Sequence, residues 1–198
     1  KHWLSRCKST ASATEQGQPG VNLVGYATYA LGIGEDLRTT YTALQTAKVP
    51  VAVLDFAPCD DFSNRRDLTL NPVLQEQAPF STTLVCLSPE EMLRLVDTPL
   101  GHQVLSGRYV IGYWPWELPH WPPTWLPALK HVDEVGVSSQ HIAQALQPQT
   151  RQPVQVMPRC VESPNLSIQP LTVQERRLAR MYYALNPDAT LFCFSFDL

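Results

Sequence analysis

Short blocks of consecutive apolar residues alternate along the chain with stretches whose apolar positions recur every three or four residues. The blocks are VNLVGY (Val21–Tyr26), VPVAVLDF (Val49–Phe56), STTLVCLS (Ser81–Ser88), YVIGYW (Tyr109–Trp114), EVGVSS (Glu134–Ser139) and VQVMPR (Val154–Arg159). Runs this short, β-branched and weakly alternating predict strands buried on both faces. Between them, Glu35–Ala47 places Leu37, Tyr41, Leu44 and Ala47 on one helical stripe. Pro89 opens a predicted helix to about Asp97, with Glu90 and Glu91 in its first turn, where the helix dipole favours them. Trp125–His131 reads as a short helix, and His141–Gln147 as another capped by Ser138 or Ser139. Strands alternating with helices at these intervals imply right-handed crossovers, hence a parallel sheet covered on both sides. The predicted fold class is α/β, doubly wound.

Three stretches fall outside that rhythm. Residues 1–20 are polar and rich in Gly, Ser and Thr, a lead-in to a domain over 21–160. Residues 57–79 form a polar, proline-containing excursion long enough to suggest a functional or mobile loop. Residues 160–170 lack any period and read as a connector, Leu171–Leu185 as a helix, and TLFCFSFDL (190–198) as a strongly apolar strand. A buried strand needs neighbours on both edges. Residues 161–198 are therefore expected to be the linker, helix and first strand of a second domain cut short by the end of the chain.

Composition narrows the function classes. The 198 residues are 44% hydrophobic and 17% charged, the balance of a packed domain rather than a disordered one. Fifteen basic against 18 acidic residues, net −3, disfavour a nucleic-acid partner. The 18 prolines predict shaped loops, and the five scattered cysteines form neither a disulfide framework nor a zinc motif. With no membrane-spanning run and no signal-peptide pattern, the expected location is the cytoplasm.

Two segments carry candidate chemistry. In LGIGEDLR (31–38), Gly32 and Gly34 precede a predicted helix, and Asp55 ends the second strand, the outline of a dinucleotide fingerprint. Leu37 stands where that fingerprint has its third glycine, which disfavours a nicotinamide-dependent oxidoreductase. What survives is a glycine-rich helix start near a ligand phosphate, or simply a turn whose acidic first-turn residues include Glu35, paired with Arg38. The other segment, GYWPWELPHWPPTW (112–125), holds four of the five tryptophans at a strand exit, where α/β sheets bind ligands. Its aromatics are either stacking faces of a cleft or core, and Glu117 is a carboxylate able to hold a hydroxyl or move a proton. His141 could face the same cleft; His102, His120 and His131 have no metal-ligand spacing, and no P-loop, GxSxG or HExxH is present.

Taken together, VNLVGYATYALGIGEDLR, GRYVIGYWPWELPHWP, VDEVGVSSQHIAQAL and VQVMPRCVE resemble, in order, the N-terminal half of a GT-B glycosyltransferase, closest to the bacterial family-4-like enzymes of polysaccharide assembly. The resemblance runs from about Val21 to the end, where TLFCFSFDL is similar to the first strand of the donor domain. It implies a Rossmann-like acceptor-side domain facing a second, donor-binding one. The implied reaction transfers a sugar from a nucleotide-diphosphate sugar to a glycan or lipid-linked acceptor, with retention and without a metal or other cofactor. It also implies peripheral association with the inner membrane face through the acceptor. Carried over by position, Gly32 and Gly34 would lie near the donor diphosphate, and Arg38 would support that loop or the phosphate. Tyr113, Trp114, Trp116 and Glu117 would line the cleft, Glu117 as the catalytic candidate, with Ser139 and His141 in its wall. Where many relatives have a histidine at the fourth strand's exit, this chain has Tyr-Trp-Pro-Trp-Glu. The family's basic pair and E-x7-E donor motif would follow residue 198, so the chain alone is expected not to catalyse transfer. The alternative is a non-catalytic module that binds glycan or a protein partner through the aromatic loop.

Overall fold

The structure, a computed structural model, describes residues 17–58, 65–161 and 170–192. The chain divides into two compact units, residues 1–161 and 162–198. The first is built on six strands: β1 (Gln18–Gly25), β2 (Val51–Asp55), β3 (Phe80–Cys86), β4 (Tyr109–Tyr113), β5 (Glu134–Val137) and β6 (Val154–Val156). All pair in parallel, in the order β2-β1-β3-β4-β5-β6. Four α-helices connect them: α1 (Gly32–Thr46), α2 (Pro89–Val96), α3 (Pro99–Leu105) and α4 (Gln140–Leu146).

Successive residues of each strand point to opposite faces, and both faces are covered, which is why the strands read as unbroken apolar runs. Leu23, Val53, Leu84, Cys86 and Ile111 pack under α1 with Leu37, Tyr41 and Leu44. Val24, Leu54, Val85, Val110 and Val135 pack on the other side with Met92 and Leu95 of α2, Val104 of α3 and Ile142 and Leu146 of α4. The fold is the predicted one: doubly wound, Rossmann-like α/β. No helix among the described residues is long and apolar enough to cross a membrane.

Several boundaries differ from expectation for identifiable reasons. β1 starts at Gln18 rather than Val21, because the Gln18 N–H donates to Pro79 O at 3.0 Å and Gln18 pairs with Phe80. α1 starts at Gly32 rather than Glu35, so both glycines lie in its first turn rather than in a preceding loop. α3 was not foreseen, although Thr98 is a capping residue that accepts from the Gly101 N–H and Pro99 follows it. Pro123–His131 is a 3₁₀ segment rather than an α-helix, with Pro127 inside it lacking the N–H an α-turn would need.

The excursion over 57–79 is only partly described; its segment 65–79 is packed rather than loose. Leu70 and Ala78 are buried, Leu74 bridges Val53, and the Gln75 N–H donates to Val53 O at 2.8 Å. This segment therefore covers the outer edge of β2, which would otherwise present unpaired backbone groups.

In the second unit, α5 (Val173–Tyr182) begins with a reciprocal capping box between Thr172 and Glu175. Arg180 folds the following turn back by donating to the carbonyls of Pro187 and Ala189, each at 2.7 Å. Of the strand expected over 190–198, residues 193–198 lie outside the described residues, and 190–192 carry no strand.

Candidate functional site

The strand order places β2 and β3 on opposite sides of β1. The connections leaving β1 and β3 therefore diverge, opening a crevice at the carboxyl ends of the strands. A cleft of about 560 Å³ lies there. Gly32 and Ile33 line it from the first turn of α1, Ser88 and Glu90 from the start of α2, Trp116 and Glu117 from the loop after β4, and Arg159 from the segment after β6. Trp125 and Leu31 add apolar wall.

Of the two glycines, Gly32 alone borders the cleft. A Cβ on Gly32 would meet nothing within 4 Å, whereas one on Gly34 would sit 2.6 Å from Tyr29 O and 2.7 Å from Tyr26 O. Gly34 is thus glycine for packing, because the chain leaving β1 presses against the helix. Arg38 also faces away from the cleft. Its Nε lies 2.9 Å from Glu35 and 3.2 Å from Asp67, and its Nη1 donates to Tyr29 O at 3.1 Å. Arg38 braces the β1–α1 loop rather than reaching a ligand.

The tryptophan-rich loop splits into an inner and an outer pair. Trp114 is only 1% exposed and stacks on buried Trp121, with ring centroids 6.1 Å apart. Leaving β4, it folds back over Gly112, where a Cβ would lie 2.5 Å from its ring. Trp114 is therefore core, not cleft wall. Tyr113 points to the opposite sheet face, where it is buried and donates to Met157 O at 3.0 Å. That burial pushes its hydroxyl up to about 12. Trp116 is the first aromatic clear of the sheet. It packs edge-to-face on Trp125 at 4.7 Å and donates its indole N–H to His120 O at 3.0 Å. Glu117 follows, exposed at the cleft.

His141, in α4, supports this loop directly, and Ser139 does so only through the helix it caps. Ser139 is the N-cap of α4, accepting from the Ile142 N–H at 3.3 Å, and His141 Nε2 lies 3.2 Å from the Glu117 carbonyl. The cleft thus brings together Gly32, Trp116 and Glu117, while Gly34, Arg38, Tyr113 and Trp114 stand behind it, His141 holds the Glu117 carbonyl and Ser139 caps the helix of His141.

Sequence reasoning missed two charged groupings at the cleft. Tyr26 donates to the Glu91 carboxylate, which also pairs with Arg94 at 2.6 Å. Burial first, and the Glu91 charge second, push the Tyr26 hydroxyl far above the usual tyrosine range. Arg94 in turn lies 4.1 Å over the Phe56 ring. The other grouping joins Arg159 to buried Asp36 at 3.0 Å. Burial raises the Asp36 carboxyl and the Arg159 guanidinium holds it down, the net shift being upward. Proline at the first position of α2 with acids behind it signalled a helix start, but nothing local tied Asp36 to Arg159.

The carboxylates of Glu90 and Glu117 have no hydrogen-bond or ion-pair partner among the described residues, whereas both nearby guanidiniums are paired. The arrangement offers aromatic and aliphatic walls, two available carboxylates and the first turn of a helix. It can pack a flat, partly apolar ligand and accept hydrogen bonds from its hydroxyl or amine groups. At the exit of β2 the contrast is complete, since Asp55 accepts from the Thr28 N–H at 3.0 Å and the Thr28 hydroxyl at 2.7 Å. The carboxylate that a dinucleotide reading would reserve for a ribose is already engaged. No protein-family model and no curated protein matches this chain.

Proposed function

We propose that the chain is the acceptor-side half of a glycosyltransferase, moving a sugar from a nucleotide-diphosphate sugar to a glycan or lipid-linked acceptor with retention and without a metal. The observation that carries this reading is the cleft at the switch point, where Trp116 and Trp125 stand beside the unpartnered Glu117 carboxylate and the first turn of α1. Sugars are recognised by such pairings, in which C–H faces pack on aromatic rings and hydroxyls donate to carboxylates. In this reading the loop after β4 orients the acceptor hydroxyl, Glu117 holds or receives its proton, and the donor is held mainly by a second domain. His141 acts as a positioning residue by holding the backbone of the loop that carries Glu117, and Ser139 by capping the helix that carries His141.

The test is turnover of nucleotide sugars by the longest natural chain containing this sequence. Glu117→Gln lowers turnover by on the order of a hundredfold, the usual worth of a positioned acid or base. Unchanged turnover in Glu117→Gln removes that residue from the site, and absence of turnover with every nucleotide sugar removes the transferase reading.

One observation favours binding without transfer: the whole lining comes from residues 26–159, so this unit can hold a ligand by itself. Glycan binding by a full-length chain that turns over no donor is the result expected of that reading.

A further inference from the structure

We infer that the cleft selects a glycosyl unit carrying a protonated amine, such as a 2-amino-2-deoxyhexose within an oligosaccharide, over neutral or anionic sugars. The inference rests on the proposed glycan site and adds the charge class of its occupant.

The walls are apolar where a sugar ring would pack: Leu31 and Ile33 on one segment, Trp116 and Trp125 on another. The charges around them are unequal in a specific way. Arg159 is held at 3.0 Å by Asp36, and Arg94 at 2.6 Å by Glu91, which also accepts from Tyr26. Both cations are therefore compensated before any ligand arrives. Glu90, from the start of α2, and Glu117, from the loop after β4, reach the same cleft with no partner among the described residues. An anionic ligand entering there meets two uncompensated like charges, and the first turn of α1 offers only partial positive charge against them. A neutral sugar donates hydroxyls but leaves both charges in place. An ammonium group on the ring satisfies the carboxylates and also meets the negative faces of the indoles. The preference is thus a property of the cleft as a whole, its apolar walls locating the ring and its unpaired carboxylates reading the substituent.

The experiment follows tryptophan fluorescence of the 198-residue chain during titration with three tetrasaccharides: β-1,4-linked glucosamine, its N-acetylated counterpart, and galacturonate. The glucosamine tetramer is expected to bind on the order of tenfold more tightly than the N-acetylated one, with the advantage shrinking as salt screens the charges. Glu90→Gln and Glu117→Gln should each weaken glucosamine binding by up to about fivefold, the range for partly exposed charge pairs, and N-acetylated binding by less, since the amide still accepts from hydroxyls but carries no charge. Equal or tighter binding of the N-acetylated or galacturonate tetramer overturns the charge preference and leaves the glycan site standing. A glucosamine preference that survives in the Glu90→Gln/Glu117→Gln double variant places the selecting charges elsewhere and overturns the inference. Failure of all three to bind removes the glycan reading of the cleft along with it.

Discussion

Two regions at the strand exits of this sheet carry carboxylates, and they use them in opposite ways. At the exit of β2, Asp55 is bound by the backbone and hydroxyl of Thr28, and Arg66 adds a 3.2 Å hydrogen bond to that hydroxyl while lying 3.9 Å over the Tyr29 ring. Asp67, one residue on, joins Arg38. At the diverging exits of β1, β3 and β4, Glu90 and Glu117 reach an open cleft without partners among the described residues. The difference comes from the β1–α1 connection, whose Thr28 turns its N–H and hydroxyl onto Asp55, and from residues 65–67, which hold that connection through the Asp67 N–H to Thr28 O at 3.0 Å and the Ala30 N–H to Arg65 O at 3.2 Å. The half-buried Asp55 charge is met by the protein, whereas Glu90 and Glu117 are exposed and free to meet solvent or a ligand. Of the dinucleotide-like outline Gly32-x-Gly34 with Asp55, Gly34 and Asp55 are therefore scaffold and only Gly32 reaches the cleft.

The comparison breaks most visibly at the glycines. Gly34→Ala forces a methyl against two backbone oxygens at 2.6 and 2.7 Å, which neither can yield without moving the chain that leaves β1. The expected loss is about 3 kcal/mol in urea unfolding, at the upper end for overpacking. Gly32→Ala meets open space and should be neutral or stabilising, by at most about 1 kcal/mol from helix propensity. Equal losses for the two would mean that both glycines serve the scaffold. Next in size is Asp55→Ala, which strands the Thr28 donors and should cost about 2 kcal/mol. Glu117→Gln in the same assay should stay within about 0.5 kcal/mol, as expected of an exposed side chain outside any network.

The strands and the helices α1, α2 and α4 were legible because burial on both faces leaves long apolar runs, and because Pro89 with Glu90 and Glu91, and Ser139, mark helix starts. α3 escaped because it is a single short helix with Gly101 in its middle, packed so tightly that a Cβ there would lie 2.0 Å from Leu95 O. The cover over β2 escaped because its few buried residues, Leu70 and Ala78 among them, are lost in a polar stretch. At the site, the aromatic loop was identifiable as a whole, but its division was not. Tyr113 and Trp114 still obey the two-sided alternation of β4 and are drawn into the two cores; only Trp116, past Pro115, is released from it. Pairings such as Asp36–Arg159 depend on the segment after β6 running back over the strand ends past Gly136 and Tyr113, since β3, β4 and β5 separate β6 from β1.

The buried side of the site can be separated from the open side by titration. Tyr113 ties β4 to the segment after β6 through Met157 O. Its hydroxyl ionises near 12 in the folded chain against an ordinary 10.0, so between those values the unfolded chain releases a proton that the folded chain keeps. Stability contributed by this group is complete below pH 10 and lost as pH rises toward 12, by up to about 2 kcal/mol. Tyr113→Phe should therefore flatten the alkaline fall in stability, and an unchanged slope would show that other groups cause it.

The smallest effect is the most informative about Arg159. Its guanidinium is half exposed while Asp36 is buried, so the pair is an interior carboxylate holding a cleft-lining cation. Arg159→Met keeps the aliphatic stem but removes the charge that pulls the Asp36 carboxyl down. The Asp36 titration, followed by carboxyl carbon chemical shift, should then move further upward, because burial acts unopposed. Stability at neutral pH should fall by about 1 kcal/mol or less and recover as the pH drops through the raised Asp36 value, since protonation removes the unpaired charge. An Asp36 titration that does not move would mean the contact with Arg159 is not maintained in solution. Arg159 would then be a third available charge at the cleft, opposite in sign to Glu90 and Glu117, and the contrast between an engaged β2 exit and a cleft with only carboxylates to spare would have to be redrawn.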